Sequence, residues 1–176
     1  MNNQPPSQFD MLEANLGRLR ARMPETPIAA IMLARLLLHI GRGMAAMVEQ
    51  RIRPFGLAEA EFRVLTALFS QPEGVAHPSD LCSRTSQSPA NMSRISDSLV
   101  ARDLITRVSS SQDRRRMVLR ITENGEALVR RLLPLLHAPL KEIFGDFSDA
   151  ELQQLIEQLK RLGVKLDQVM AQESPQ

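Results

Sequence analysis

The sequence predicts a mainly α-helical protein carrying a small β-wing, on three observations. Residues 78–101 hold two short helix patterns joined by a polar turn, and each pattern opens on a proline. Residues 104–122 give two strand-like runs around a polar loop that ends in Arg114, Arg115 and Arg116. Both flanks of this centre carry apolar helical stripes too broad for it to cover. Together these describe a winged helix-turn-helix core with a helical region built from both termini.

Residues 1–27 contain Pro5, Pro6, Pro24 and Pro27 around a candidate helix from about Phe9 to Arg22. They are expected to form an arm, partly ordered at best. Residues 28–53 read as one long helix, apolar at Ile28, Met32, Leu36, Ile40, Met44 and Met47, with Leu33, Leu37 and Leu38 besides. So wide an apolar surface implies burial on more than one side. A shorter helix over residues 58–70 carries Phe62, Leu65, Leu68 and Phe69. Pro78 suits the first position of the next helix, where its missing N–H has no intrahelical bond to lose. That helix carries Leu81 and Cys82 and ends near Thr85, and Ser86-Gln87 makes the turn. Ser88-Pro89 is a second start signal, a serine N-cap before a proline. Met92, Ile95 and Leu99 then recur on one helical face. Residues 104–108 and 117–122 read as strands. Residues 122–143 return to helix, where Pro134 and Pro139 are expected to kink the element or split it in two. Ser148-Asp149-Ala150-Glu151 is a capping box. Behind it Leu152, Leu155, Ile156, Leu159, Leu162, Leu166, Val169 and Met170 form a continuous apolar stripe.

The division that follows is an arm (1–27), a winged helix-turn-helix (56–122) and a helical dimerisation region from both sides (28–55 and 123–172). Terminal helices this apolar need a second copy to cover them, so a two-fold homodimer is expected.

Charge agrees with a DNA partner. Net charge is only +2, but residues 84–131 hold ten arginines against five acids. Residues 1–83 balance at eight against eight, and residues 141–176 hold four bases against seven acids. The basic third is the part with the helix-turn-helix, as binding to a phosphate backbone requires. The second helix of that motif presents Ser88, Pro89, Ala90, Asn91, Ser93 and Arg94. Small polar groups and one arginine fit a major groove and can bond base edges or phosphates. Alone, the same face reads as an ordinary solvated one; the strand-turn-strand that follows reverses that reading. Three adjacent guanidiniums stabilise no core, and at a hairpin tip they suit phosphates or a narrow minor groove.

Other classes find little support. Trp and Tyr are absent, which leaves almost nothing for base stacking on single strands. His39, His77 and His137 lack metal-ligand spacing, so no metal site is expected. No Ser-His-Asp or phosphate-loop pattern is present, and no enzyme or cofactor is expected. No uninterrupted apolar run approaches about 20 residues and no signal-type segment is present, so a cytoplasmic protein with no membrane partner is expected.

The run from Asp113 through Thr122-Glu123-Asn124-Gly125 resembles the wing signature of the MarR (multiple antibiotic resistance regulator) family. In that signature an Asp-x-Arg leads into apolar strand positions and then Thr-x-x-Gly. Ile121 stands where leucine is usual, a conservative change. Residues 92–99, followed by Leu104-Ile105, resemble the recognition helix of the same family. The likeness extends over about residues 28–170, and the outer helices are most similar to its multidrug-efflux repressor branch. The resemblance implies a repressor that acts as a homodimer on a pseudo-palindromic operator in double-stranded DNA. It implies that Arg115 enters the minor groove and that Asp113 positions it, with Arg114 and Arg116 nearer the phosphates. It also implies a small anionic aromatic effector, phenolic or salicylate-like, between the dimer helices and the DNA-binding part. Arg35, His39 and Arg42 form a cationic stripe that, with Met44 and Phe62, is a candidate for holding it. The alternative is two solvated arginines and an interface histidine. Cys82 stands where the family usually has alanine, and buried packing is the expected role. An architectural or protein-interaction winged helix is the competing function. Such a non-specific binder would carry lysines on the recognition face, where this chain has small polar residues.

Overall fold

The computed structural model describes residues 7–109 and 117–173. Asp113, Arg114, Arg115 and Arg116 therefore lie outside the described residues. By contacts, the chain divides into two compact units, Met1–Phe62 and Arg63–Gln176.

The first unit holds α1 (Gln8–Arg22), α2 (Ile28–Ile52) and a 3-10 turn at Arg53–Phe55. Residues 8–22 are a regular helix, where the sequence offers a candidate helix from about Phe9 to Arg22. The cause is local. Ser7 Oγ accepts from the Asp10 amide at 3.2 Å, and Asp10 returns the bond to the Ser7 amide at 2.8 Å. This capping box satisfies two of the amides a helix start leaves open. Pro24 and Pro27 stand beyond the helix end, and Leu16, 2% exposed, anchors it as it packs along α2.

The stretch Ile28–Phe55 is long and apolar enough to cross a membrane by length and composition. The sequence expectation missed this because it sought an uninterrupted run, which Arg35 and Arg42 break. None of the most apolar window is buried within the single chain.

α3 (Glu59–Phe69) runs from the first unit into the second. There β1 (Val75–Ala76), α4 (Pro78–Thr85), α5 (Pro89–Ala101), β2 (Ile105–Ser109), β3 (Met117–Ile121), α6 (Glu123–Phe144) and α7 (Asp149–Glu173) follow. The strands form one antiparallel sheet in the order β1-β3-β2. Val75 pairs with Arg120, and Ile105 pairs with Ile121. β1 was not expected from sequence: two residues cannot show alternation. It is set by the left-handed pair Glu73-Gly74 (φ 45° and 63°), which turns the chain back onto β3. Val64, Leu65, Leu68, Leu81, Met92, Leu99, Ile105, Leu119, Val129 and Leu132 are fully buried in this unit.

α6 is one helix through both Pro134 and Pro139, not two. Each proline removes one amide donor, and the helix runs on past both, with Val129, Leu132 and Leu136 buried along its face. Arg130 adds a cation–π contact, 4.9 Å above the Phe69 ring of α3. By contacts, α6 and α7 fall in the same unit as the strands and α4 and α5.

α7 opens as expected from Ser148. The Ser148 hydroxyl and amide donate to Glu151 at 2.6 and 2.8 Å, and hold its carboxyl below the usual carboxylate range. A lowered carboxyl stabilises above its ordinary pKa, so this cap weakens only as pH falls below that range. The helix leaves an apolar row open to solvent, including Leu155, Ile156, Leu159, Leu162, Leu166 and Met170.

Candidate nucleic-acid interface

The helix-turn-helix is set by its caps. α4 starts with Pro78 at its first position and ends on Ser86 in the left-handed region (φ 53°). The amides of Ser86 and Gln87 both return to the Cys82 carbonyl, which closes the helix end. Ser88 is extended and its Oγ accepts from the Asn91 amide at 3.2 Å, so α5 begins almost at once. The turn between the helices is therefore short and fixed.

α5 buries Met92, Ile95, Ser96 and Leu99. Thr85 and Ser96, the buried polar residues among those described, donate their hydroxyls to the Leu81 and Met92 carbonyls. Nothing polar is left unpaired beneath the helix. On the other face Ser93, Arg94 and Asp97 are exposed, and Ser88, Pro89 and Ala90 are exposed at the helix start. Asn91 is half-buried, with its amide donated to the Gln87 side chain. The structure thus brings Ser88, Pro89, Ala90, Ser93 and Arg94 onto one open surface and sets Asn91 at its edge.

A pair that sequence reasoning missed joins this helix to the sheet. Arg107 on β2 donates to Asp97 on α5 at 2.5 Å. Both side chains are exposed, so the pair adds little stability, about 0–1 kcal/mol. It links the outer strand to α5. The only sequence signal is Arg107 at an outward position of its strand.

Between α4, α5 and the strands lies a cavity of about 660 Å³, lined by Cys82, Met92, Met117, Leu119, Asp97 and Arg107 among others. Cys82 is half-buried and lines it, rather than being packed in the core as expected. Pro78 and Ser79 of the first α4 turn line it as well.

The cationic stripe on α2 is brought together elsewhere. Arg35, His39 and Arg42 line a groove of about 370 Å³ whose other wall is α1. Met44 and Phe62 do not line it, and Phe62 is buried at 7% exposure. Helical spacing places residues on a face but does not say what that face meets.

A sequence model of the MarR family matches residues 55–116, from the end of the 3-10 turn to the edge of the wing. The transcriptional repressor MprA of Escherichia coli strain K12 is 31% identical over 163 residues, 93% of each chain. The chain belongs to the MarR family. Among solved MarR-type structures, AbsC of Streptomyces coelicolor superposes with a TM-score of 0.70 at 26% identity, covering 77% of this chain and 92% of its own. BpsR of Bordetella bronchiseptica, whose DNA binding is regulated by 6-hydroxynicotinic acid, superposes with a TM-score of 0.65 at 26% identity, covering 80% and 95%. The protein is thus a MarR-family transcriptional regulator and not an enzyme. Its winged helix is the DNA-binding element.

Proposed function

We propose that this chain is a ligand-responsive repressor that binds a pseudo-palindromic operator in double-stranded DNA as a homodimer. The observation that carries the DNA reading is the open face of α5: Ser93 and Arg94 stand opposite a fully packed face, on a helix whose start and strand contact are both fixed. A pre-set helix loses little entropy on entering a groove. In this reading residues 56–122 bind DNA, with Ser88, Pro89, Ala90, Asn91, Ser93 and Arg94 in the major groove. The wing residues Asp113, Arg114, Arg115 and Arg116 bind beside it. Residues 28–55 and 123–172 form the dimer, which would cover the apolar window of α2 and the apolar row of α7. A regulator that works on the chromosome acts in the cytoplasm. The aromatic acid that regulates BpsR supports a small anionic aromatic effector here.

Arg94→Ala tests the reading directly. It should weaken binding to the preferred duplex by about 1–3 kcal/mol and relax base preference at one or two positions. Equal losses on preferred and random DNA would show that Arg94 touches only phosphate.

The wing gives a test with an unexpected sign. Arg115→Ala should weaken binding and lower the salt slope by about one unit. Asp113→Ala should weaken it too, although it removes a negative charge near DNA, because the carboxylate orients the Arg115 guanidinium. Tighter binding by Asp113→Ala at moderate salt would refute the orienting role.

A further inference from the structure

We propose that Asn91 reads an adenine in the major groove, and that Gln87, from the turn before α5, holds its carboxamide in the reading orientation. This rests on the operator-binding reading above and names the base that one residue of α5 recognises. The chain of hydrogen bonds starts at a backbone carbonyl. Gln87 Nε2 donates to the Thr85 carbonyl oxygen at 3.2 Å. A carbonyl oxygen only accepts, so Gln87 must turn its NH2 towards Thr85 and its Oε1 away. That Oε1 accepts from Asn91 Nδ2. The polarity is passed on: Asn91 spends one N–H on Gln87 and keeps Oδ1 for another partner.

Both residues are tied at the backbone as well. The Gln87 amide donates to the Cys82 carbonyl at 3.0 Å, and the Asn91 amide donates to Ser88 Oγ at 3.2 Å. Thr85 is 2% exposed, and its hydroxyl donates to the Leu81 carbonyl at 2.6 Å. The anchor of the chain is thus part of the packed core. Asn91 is half-buried, and its Oδ1 has no hydrogen-bond partner among the described residues. No buried side-chain oxygen or nitrogen among them lacks a partner, so Oδ1 reaches solvent.

An amide nitrogen carries two hydrogens, and Gln87 uses one. The open edge of Asn91 therefore offers one acceptor and one donor. Adenine's major-groove edge is the complement, with its N6 amine and its N7 acceptor. Guanine presents two acceptors there, which would oppose Oδ1. Thymine offers an acceptor and a methyl group, and cytosine a donor alone. Phosphate only accepts, so it would leave Oδ1 without a partner. A carboxamide fixed before docking loses little freedom on binding. Without Gln87 the carboxamide can turn over, and the edge loses its order.

Sequence selection and anisotropy titrations on the full chain test this. Wild type should enrich a half-site with one position held as adenine, and Asn91→Ala should lose the preference at that position. Gln87→Ala should lower adenine's advantage there at least about fivefold, the low end of what a bidentate base contact is worth. Its affinity for random duplex DNA should stay unchanged, whereas a merely structural role would lower both. In the Asn91→Ala background, Gln87→Ala should have no further effect on base preference. Replacing that adenine by 7-deazaadenine, which lacks the N7 acceptor, should weaken wild type and leave Asn91→Ala unaffected. Control by Asn91 of a base other than adenine, equal losses on preferred and random DNA in Gln87→Ala, or a Gln87→Ala effect that persists without Asn91 would each overturn the proposal. If wild type selects an operator in which no position answers to Asn91, the adenine contact alone falls. If wild type selects no sequence at all, the operator-binding function falls and the adenine contact with it.

Discussion

Gly125→Ala should cost the fold about 3–5 kcal/mol, among the largest effects of any single methyl group in this chain. A Cβ at residue 125 would sit 2.1 Å from the Leu104 carbonyl oxygen and 2.8 Å from Ile121 Cγ1. The carbonyl cannot move aside, because it accepts the Thr122 amide at 3.1 Å. Thr122 is fixed in turn: its hydroxyl donates to the Asp103 carbonyl at 2.7 Å and accepts from the Gly125 amide at 3.0 Å. Asn124 closes the same knot with a 2.7 Å bond to the Asp103 carboxylate. The first turn of α6 thus sits against the end of α5's exit loop with no room for a side chain. Thermal melting should show a loss of roughly 6–20 °C, at about 2–4 °C per kcal/mol for a chain of this size. Gly17→Ala is the matched control, since a Cβ there meets nothing within 4 Å. In α1 it should be neutral or stabilising by up to about 1 kcal/mol. A Gly125→Ala melt within a degree or two of wild type would mean that this junction yields more than its hydrogen bonds suggest.

Removing residues 148–176 should abolish dimerisation and lower affinity for the two-half-site operator at least about a hundredfold. Linked half-sites gain about 10²–10⁴ in avidity, and a monomer has none of it. The argument starts from exposure. In the single chain Leu155, Ile156, Leu159 and Leu162 are 39–41% exposed, and Leu166 and Met170 are 58% and 56%. A row of this length left in water is the surface a second copy would cover in the proposed dimer. Leu159→Asp with Leu166→Asp is the milder version, since neither residue is in the buried core of the chain. Sedimentation equilibrium should give a folded monomer for both variants and a dimer for wild type. A stable wild-type monomer, or a dimer that survives the deletion, contradicts the assignment of this face.

What could be read from sequence was what local rules encode. Ser88-Pro89 and Ser148 through Glu151 gave helix starts because capping is settled within four residues. Met92, Ile95 and Leu99 gave the buried face of α5 because helical period is a local property. What could not be read depends on residues far apart in the chain. β1 is two residues long and exists only through β3. Arg107 and Asp97 are ten residues apart on different elements, so neither hinted at the other. Arg35, His39 and Arg42 were visible as a stripe, but its partner proved to be α1. The resemblance flagged Gly125; only the Leu104 carbonyl explains it.

Selection of bound sequences from random duplex DNA by the full-length chain tests the central claim most directly. The account predicts enrichment of an inverted repeat whose two half-sites lie about 10–10.5 base pairs apart, or a multiple of that, as two recognition helices in successive major grooves require. Enrichment of a single, unrepeated half-site, or of no sequence at all, would contradict it.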